Sequence, residues 1–144
     1  MEVLRALELT RIEELKILHN VRLIHRYDLN PLKSSDNLRV SFDISGEIKG
    51  TISCFLCLDG LELSPIDRNY LFPLFVEAMN ILIGRQISLD DQFSHLKIKI
   101  SSPRLCMIPQ NLTTEGRSAS HKYELELESV SFNVLAQYAL ESIN

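Results

Sequence analysis

The sequence has no tryptophan, only five glycines and five prolines, and 7% aromatic residues. So small a share of glycine and proline excludes collagen-like and low-complexity chain. Three cysteines are too few, and odd in number, for a disulfide framework; they read as small buried residues of a reducing compartment. No apolar run nears the roughly 20 residues a membrane span needs, the densest being Cys54-Phe55-Leu56-Cys57-Leu58. The opening Met1-Glu2-Val3-Leu4-Arg5 lacks a basic region followed by an apolar core, so the expected address is cytoplasmic. Cations are also short. Fifteen Lys and Arg face nineteen Asp and Glu, for a net charge of −4, and neither nucleic acid nor a membrane is expected as a partner.

What is present reads as one globular domain over residues 1–144, with 45% apolar and 24% charged residues and no repeat or linker to divide it. Leu38, Val40, Phe42 and Ile44 alternate with Arg39, Ser41 and Asp43, which predicts a half-buried strand. Ser45-Gly46-Glu47 makes a turn, and Ile48 to Leu58 returns as a second strand, with Gly50 marking a bulge or a close backbone approach. Cys54 and Cys57 form a CxxC in that second strand. Residues three apart on a strand point to opposite faces, so a structural reading outweighs a redox or zinc site.

Ser64-Pro65-Ile66-Asp67 predicts a helix start: Ser at the cap, Pro at the first helical position and an acid in the first turn. The helical pattern reaches Gly84, and Pro73 within it should kink the helix or split it near Phe72. Beyond it, Leu96, Ile98 and Ile100 alternate with Lys97 and Lys99 in a strand expected to end at Ser102-Pro103, and Asn111 to Ser120 is a polar loop. Tyr123 to Leu127 and Val130 to Leu140 read as a terminal hairpin about Glu128-Ser129, a C-terminal helix being the alternative. Thr10-Arg11-Ile12-Glu13 fits a capping box that would start a helix to about Asn20, with strand equally open around Val21 and Leu23. These elements compose an α/β (α+β) two-layer sandwich, a mainly antiparallel sheet with long helices packed on one face.

The central helix carries the functional signal. On a wheel of about 100° per residue, Glu77, Asn80 and Gly84 share one side with Pro73, while Phe72, Phe75, Met79, Leu82 and Ile83 cluster opposite. Leu74 and Ile81 flank Glu77 and Asn80, placing an acid and an amide among apolar residues outside the packed face, an arrangement suited to docking another protein.

The stretch Glu77-Ala78-Met79-Asn80-Ile81-Leu82-Ile83-Gly84 resembles the ExxN helix of the CheX and CheC chemotaxis phosphatases. Ser45-Gly46-Glu47-Ile48-Lys49-Gly50-Thr51-Ile52 is similar to the glycine-marked hairpin those proteins place before it, and Ile100-Ser101-Ser102-Pro103 to the strand they place after it. The likeness spans about Leu38 to Ile108, and one well-placed motif looks more like CheX than like CheC. Such a resemblance implies a CheC/CheX-like fold and a substrate, the aspartyl phosphate of a phosphorylated CheY-type response regulator. It implies that Asn80 orients the attacking water, that Glu77 pairs with a lysine of the regulator, and that Leu74, Ile81 and Gly84 contact the partner. It also implies a homodimer, with no cofactor of the protein's own and with Mg²⁺ in the regulator's site. A non-catalytic adaptor of the same fold, or an unrelated α/β domain, stays open.

Other signals carry less. Glu141-Ser142-Ile143-Asn144 repeats ExxN at the chain's end and has no assigned role. His19, His25, His95 and His121 lack ligand spacing, so no metal is expected in the protein itself. Ser94-His95-Leu96-Lys97 and Ser35-Asp36-Asn37 match elements of penicillin-binding enzymes in the wrong order, and no GxxxxGK[ST], GxGxxG or GxSxG occurs.

Overall fold

The protein is described from a computed structural model over residues 14–26, 37–89, 95–108 and 119–142. Strands β1 (Glu14–Leu18) and β2 (Val21–Arg26) form a hairpin turning at His19 and Asn20. This settles the N-terminal alternative in favour of strand, since residues 14–20 are not helical; the capping box at Thr10 to Glu13 lies outside the described residues. The reason is non-local. Val21 and Leu23 stand opposite Leu127 and Leu125 in a ladder, and that shared burial overrides a local helix-start signal.

β3 (Asn37–Gly46) and β4 (Ile48–Cys57) form the expected hairpin, in register from Asn37 opposite Cys57 to Ile44 opposite Gly50. One helix follows, α1 (Pro65–Leu89). The expectation of long helices in the plural is therefore corrected, and of the two alternatives at Pro73, a kink or a split near Phe72, the split is excluded: among the described residues α1 is one continuous helix through Pro73 and past Gly84. Pro73 lies on the exposed side, as does Asn69, whose carbonyl loses its helical partner; water can satisfy that oxygen, so the lost bond does not end the helix.

After α1 come β5 (Ile98–Ile100), β6 (Arg104–Ile108), β7 (Ala119–Leu127) and β8 (Val130–Ser142). The strand from Ile98 ends before Ser102-Pro103, as expected, but the edge resumes beyond Pro103. β5 and β6 both pair with β3: Ile100 faces Ile44 and Arg104 faces Ser41, so four residue steps on the edge match three on β3. This one-residue bulge spans Ser101 to Pro103. Ser101 bridges it, its N–H donating to the Asp43 carbonyl at 2.9 Å and its Oγ accepting from the Asp43 N–H at 2.8 Å.

The polar loop expected from Asn111 falls largely outside the described residues, with Ala119 and Ser120 already in β7. The terminal hairpin is confirmed, and the C-terminal helix excluded. Glu128 and Ser129 form its turn at φ 48° and 68°, the left-handed geometry of a two-residue hairpin turn. Among the described residues the eight strands are all antiparallel, in the order β1-β2-β7-β8-β4-β3-β5, with β6 also on β3.

The main core lies between the sheet and α1. Leu38, Val40, Phe42 and Ile44 of β3, Ile52, Cys54 and Leu56 of β4, and Phe132, Val134, Ala136, Tyr138 and Leu140 of β8 join Leu71, Phe75, Ala78, Met79, Leu82, Ile83 and Ile87 of the helix in one buried cluster. Phe55, Cys57 and Leu135 form a second, smaller cluster. Cys54 and Cys57 thus separate into different clusters, as strand alternation requires. Burial pushes the Cys54 thiol up to about 12, leaving it neutral and unreactive.

At Gly50 of β4 the neighbouring β8 backbone leaves no room for a side chain. Its φ is +148°, and a Cβ there would lie 1.9 Å from the Ala139 carbonyl oxygen. No other residue fits without moving the β8 backbone.

Candidate functional site: the outward stripe of the helix

The helix is held first at its N-terminus. Ser64 Oγ accepts from the Asp67 N–H at 3.1 Å, and Asp67 Oδ2 accepts from the Ser64 N–H at 3.2 Å, a reciprocal capping box. Four residues further on, the Arg68 guanidinium lies 5.8 Å from the centre of the Phe72 ring.

Glu77 and Asn80 are both exposed, one turn apart on the side of α1 away from the sheet. Leu74, Ile81 and Gly84 are half-buried around them. The five candidate residues therefore form one continuous patch in which an acid and an amide project from an apolar surround. Among the described residues nothing lies within 4 Å of where a Cβ of Gly84 would stand, so the missing side chain leaves the patch open.

Sequence reasoning missed the upstream extension of this stripe. Ile66 (80% exposed) and Tyr70 (56% exposed) fall, with Pro73, within about 60° of Glu77 on the wheel. The signal was present, since they stand two and three turns before Glu77 at the spacing that links Glu77 to Gly84. The Tyr70 hydroxyl donates to Glu128 Oε1 at 2.7 Å, and Asn20 Nδ2 donates to the same oxygen. Two hairpin turns and the helix therefore meet at one carboxylate. The hydrogen bond from Tyr70, then that from Asn20, holds the Glu128 carboxyl below its ordinary value, and the bond to Glu128 raises the Tyr70 hydroxyl.

On the opposite side of α1, Gln86 is 3% exposed and accepts a hydrogen bond from the Tyr138 hydroxyl at 3.4 Å. Burial, then neighbouring Tyr123 and Cys54, raises the Tyr138 hydroxyl well above its ordinary value, so it remains a donor. Among the described residues no three His, Cys, Asp or Glu side chains converge as metal ligands, and no helix is long and apolar enough to cross a membrane. His19 and His95 are exposed, and His19 lies near enough to Glu128 to help hold that carboxyl low.

No family model and no curated protein matches the sequence. Solved structures do. FliY from Thermotoga maritima matches with a TM-score of 0.52 at 15% identity, covering 83% of this chain and 76% of that one. The CheX–CheY–BeF3–Mg complex from Borrelia burgdorferi matches with a TM-score of 0.49 at 14% identity over 81% of this chain and 87% of that one. A chemotactic CheC-like protein from Shewanella oneidensis matches with a TM-score of 0.48 at 12% identity, over 83% and 81% of the two chains. The FliY match, at this identity, establishes a shared architecture: the chain has a CheC/CheX-like α+β fold, with an antiparallel sheet and, among the described residues, one helix.

Proposed function

We propose that the protein accelerates hydrolysis of an aspartyl phosphate on a CheY-type response regulator, using Asn80 and Glu77 on α1. One observation carries this reading: Glu77, Asn80 and Gly84 stand on one outward stripe, and among the described residues no packing contact calls for the glycine. A glycine inside a helix costs about 1 kcal/mol relative to alanine. No close contact, turn or positive φ explains the one at position 84. A partner's surface approaching the helix backbone does.

In the proposed reaction a water oxygen attacks the phosphorus in line, the bond to the aspartyl oxygen breaks, and inorganic phosphate and a free carboxylate result. Such a transfer is accelerated mainly by positioning and electrostatics. A carboxamide accepts from and donates to one water at once, which suits Asn80 to aligning the nucleophile. Glu77, one turn earlier on the same face, pairs with a lysine of the regulator and sets the docking register. Leu74, Ile81 and Gly84 supply the apolar surround that excludes bulk water. The divalent cation belongs to the regulator. The same resemblance implies a homodimer through sheet edges; β5 and β6 offer an edge on which Ile100 and Leu105 are 37% and 50% exposed.

The test mixes the protein with a phosphorylated receiver domain from the same cell and follows phosphate loss. The parent shortens the phosphoryl lifetime, and Asn80→Ala, still folded, lowers that acceleration about 100-fold, or about 2.7 kcal/mol of barrier. Binding without acceleration by the parent would replace the enzyme with an adaptor, and no binding would remove both.

A further inference from the structure

Apolar residues lie almost all round α1. Leu71, Phe75, Ala78, Met79, Leu82 and Ile83 are buried, Leu74, Val76 and Ile81 pack partly against the same core, and Ile66 and Tyr70 stand exposed on the side of Glu77. A helix patterned in this way has a weakly specified roll about its own axis, because several rotations bury comparable apolar area. The function proposed above needs one roll, since a turn of about 100° replaces Glu77 with a neighbouring residue.

Two polar contacts bracket the pair. Gln86 lies about 180° from Glu77 on the wheel, in the middle of the buried side, and meets the Tyr138 hydroxyl of β8 at 3.4 Å. Tyr70 lies on the Glu77 side and donates at 2.7 Å to Glu128 in the β7–β8 turn, which Asn20 of the β1–β2 turn also holds. The two positions are sixteen residues apart, about 24 Å of helix, with Glu77 and Asn80 between them. One contact faces in and the other out, so rotation in either direction stretches both. Gln86 is an expensive residue at its site: it is 3% exposed, and its Nε2 has no hydrogen-bond partner among the described residues. An aliphatic side chain of similar volume would fill the same space without an unsatisfied donor. Retaining the amide under the reactive face is explained when its contact with Tyr138 selects among rotations that apolar packing leaves similar in energy.

We infer that Gln86 with Tyr138, and Tyr70 with Glu128, are positioning residues that lock the roll of α1 and so aim Glu77 and Asn80 outward. What the lock is used for rests on the phosphatase reading; the lock itself does not.

Spin labels on exposed native Cys106 of β6 and on Ser88→Cys, at an exposed position of the helix, report the roll as a distance distribution; Cys54 and Cys57 are buried and escape labelling. The parent gives a single narrow distribution. The paired variant Gln86→Met/Tyr138→Phe removes donor and acceptor together and keeps volume, and it is compared with Tyr123→Phe, because the Tyr123 hydroxyl also meets that of Tyr138; a cooperative melt shows that each variant folds. The paired variant's distribution broadens or splits, as does that of Tyr70→Phe, which removes only the outer hydroxyl. Narrow distributions in the paired variant and in Tyr70→Phe overturn the lock. In the phosphatase assay the paired variant loses about tenfold in kcat with a smaller change in KM, because aim matters most in the transition state. Broadening with kcat unchanged overturns the positioning role. Broadening in a protein whose parent never accelerates phosphate loss supports the lock and rejects the phosphatase reading, so the two fail separately.

Discussion

Two glycines mark two kinds of region in this molecule. At Gly50, in the centre of the sheet, a Cβ would stand 1.9 Å from the Ala139 carbonyl oxygen, and φ is +148°. At Gly84, on the outward stripe of α1, a Cβ would touch nothing within 4 Å. The first glycine is demanded by the chain's own packing. The second is not, and in a helix it costs stability. Residues that the fold requires concentrate where β4, β3 and β8 meet the inner side of α1; Glu77, Asn80 and Gly84 stand where the fold requires nothing of them. Unexplained chemistry on an unconstrained surface is where a partner is to be sought.

The largest effect expected from this contrast is at Gly50. Gly50→Ala forces the β8 backbone away and lowers stability by about 3 kcal/mol or more, a fall of roughly 10 °C in melting temperature. A variant as stable as the parent would erase the distinction. Next is the helix start: Ser64→Ala breaks one half of the capping box and costs about 1 kcal/mol in denaturant titration. Gly84→Ala should have the opposite sign, raising stability by about 0.5–1 kcal/mol, while Gly84→Leu weakens regulator binding without unfolding the protein. A destabilised Gly84→Ala would assign that glycine to the fold after all.

The smallest effect concerns pH. Because Tyr70 and Asn20 lower the Glu128 carboxyl in the folded state, its contribution is fully present above the ordinary glutamate value and is lost as pH falls through the lowered one. Glu128→Gln therefore flattens the acid limb of the stability curve slightly, as thermal melts between neutrality and strong acid would show.

Much of this was legible locally. The β3–β4 and β7–β8 hairpins follow from alternation and turn residues, the start of α1 from Ser64-Pro65-Ile66-Asp67, and the outward stripe from 3.6-residue spacing. What escaped was non-local. β1 and β2 are strands because β7 offers them an edge, and β6 exists because β3 has room beside it once a bulge absorbs one residue. Pro73 predicts a kink or a split, and packing on both sides of it excludes the split, carrying the helix through to Leu89. The extension of the stripe to Ile66 and Tyr70 was available from spacing, whereas the contact between Tyr70 and Glu128 joins residues 58 positions apart.

By itself the sequence determined which segments alternate, where the helix begins and that an acid and an amide share one face, because these depend on neighbours within a few residues. Only tertiary structure decided which strands find edges, that the helix stays whole and which of its sides meets water, because those outcomes depend on burial shared between residues far apart in the chain.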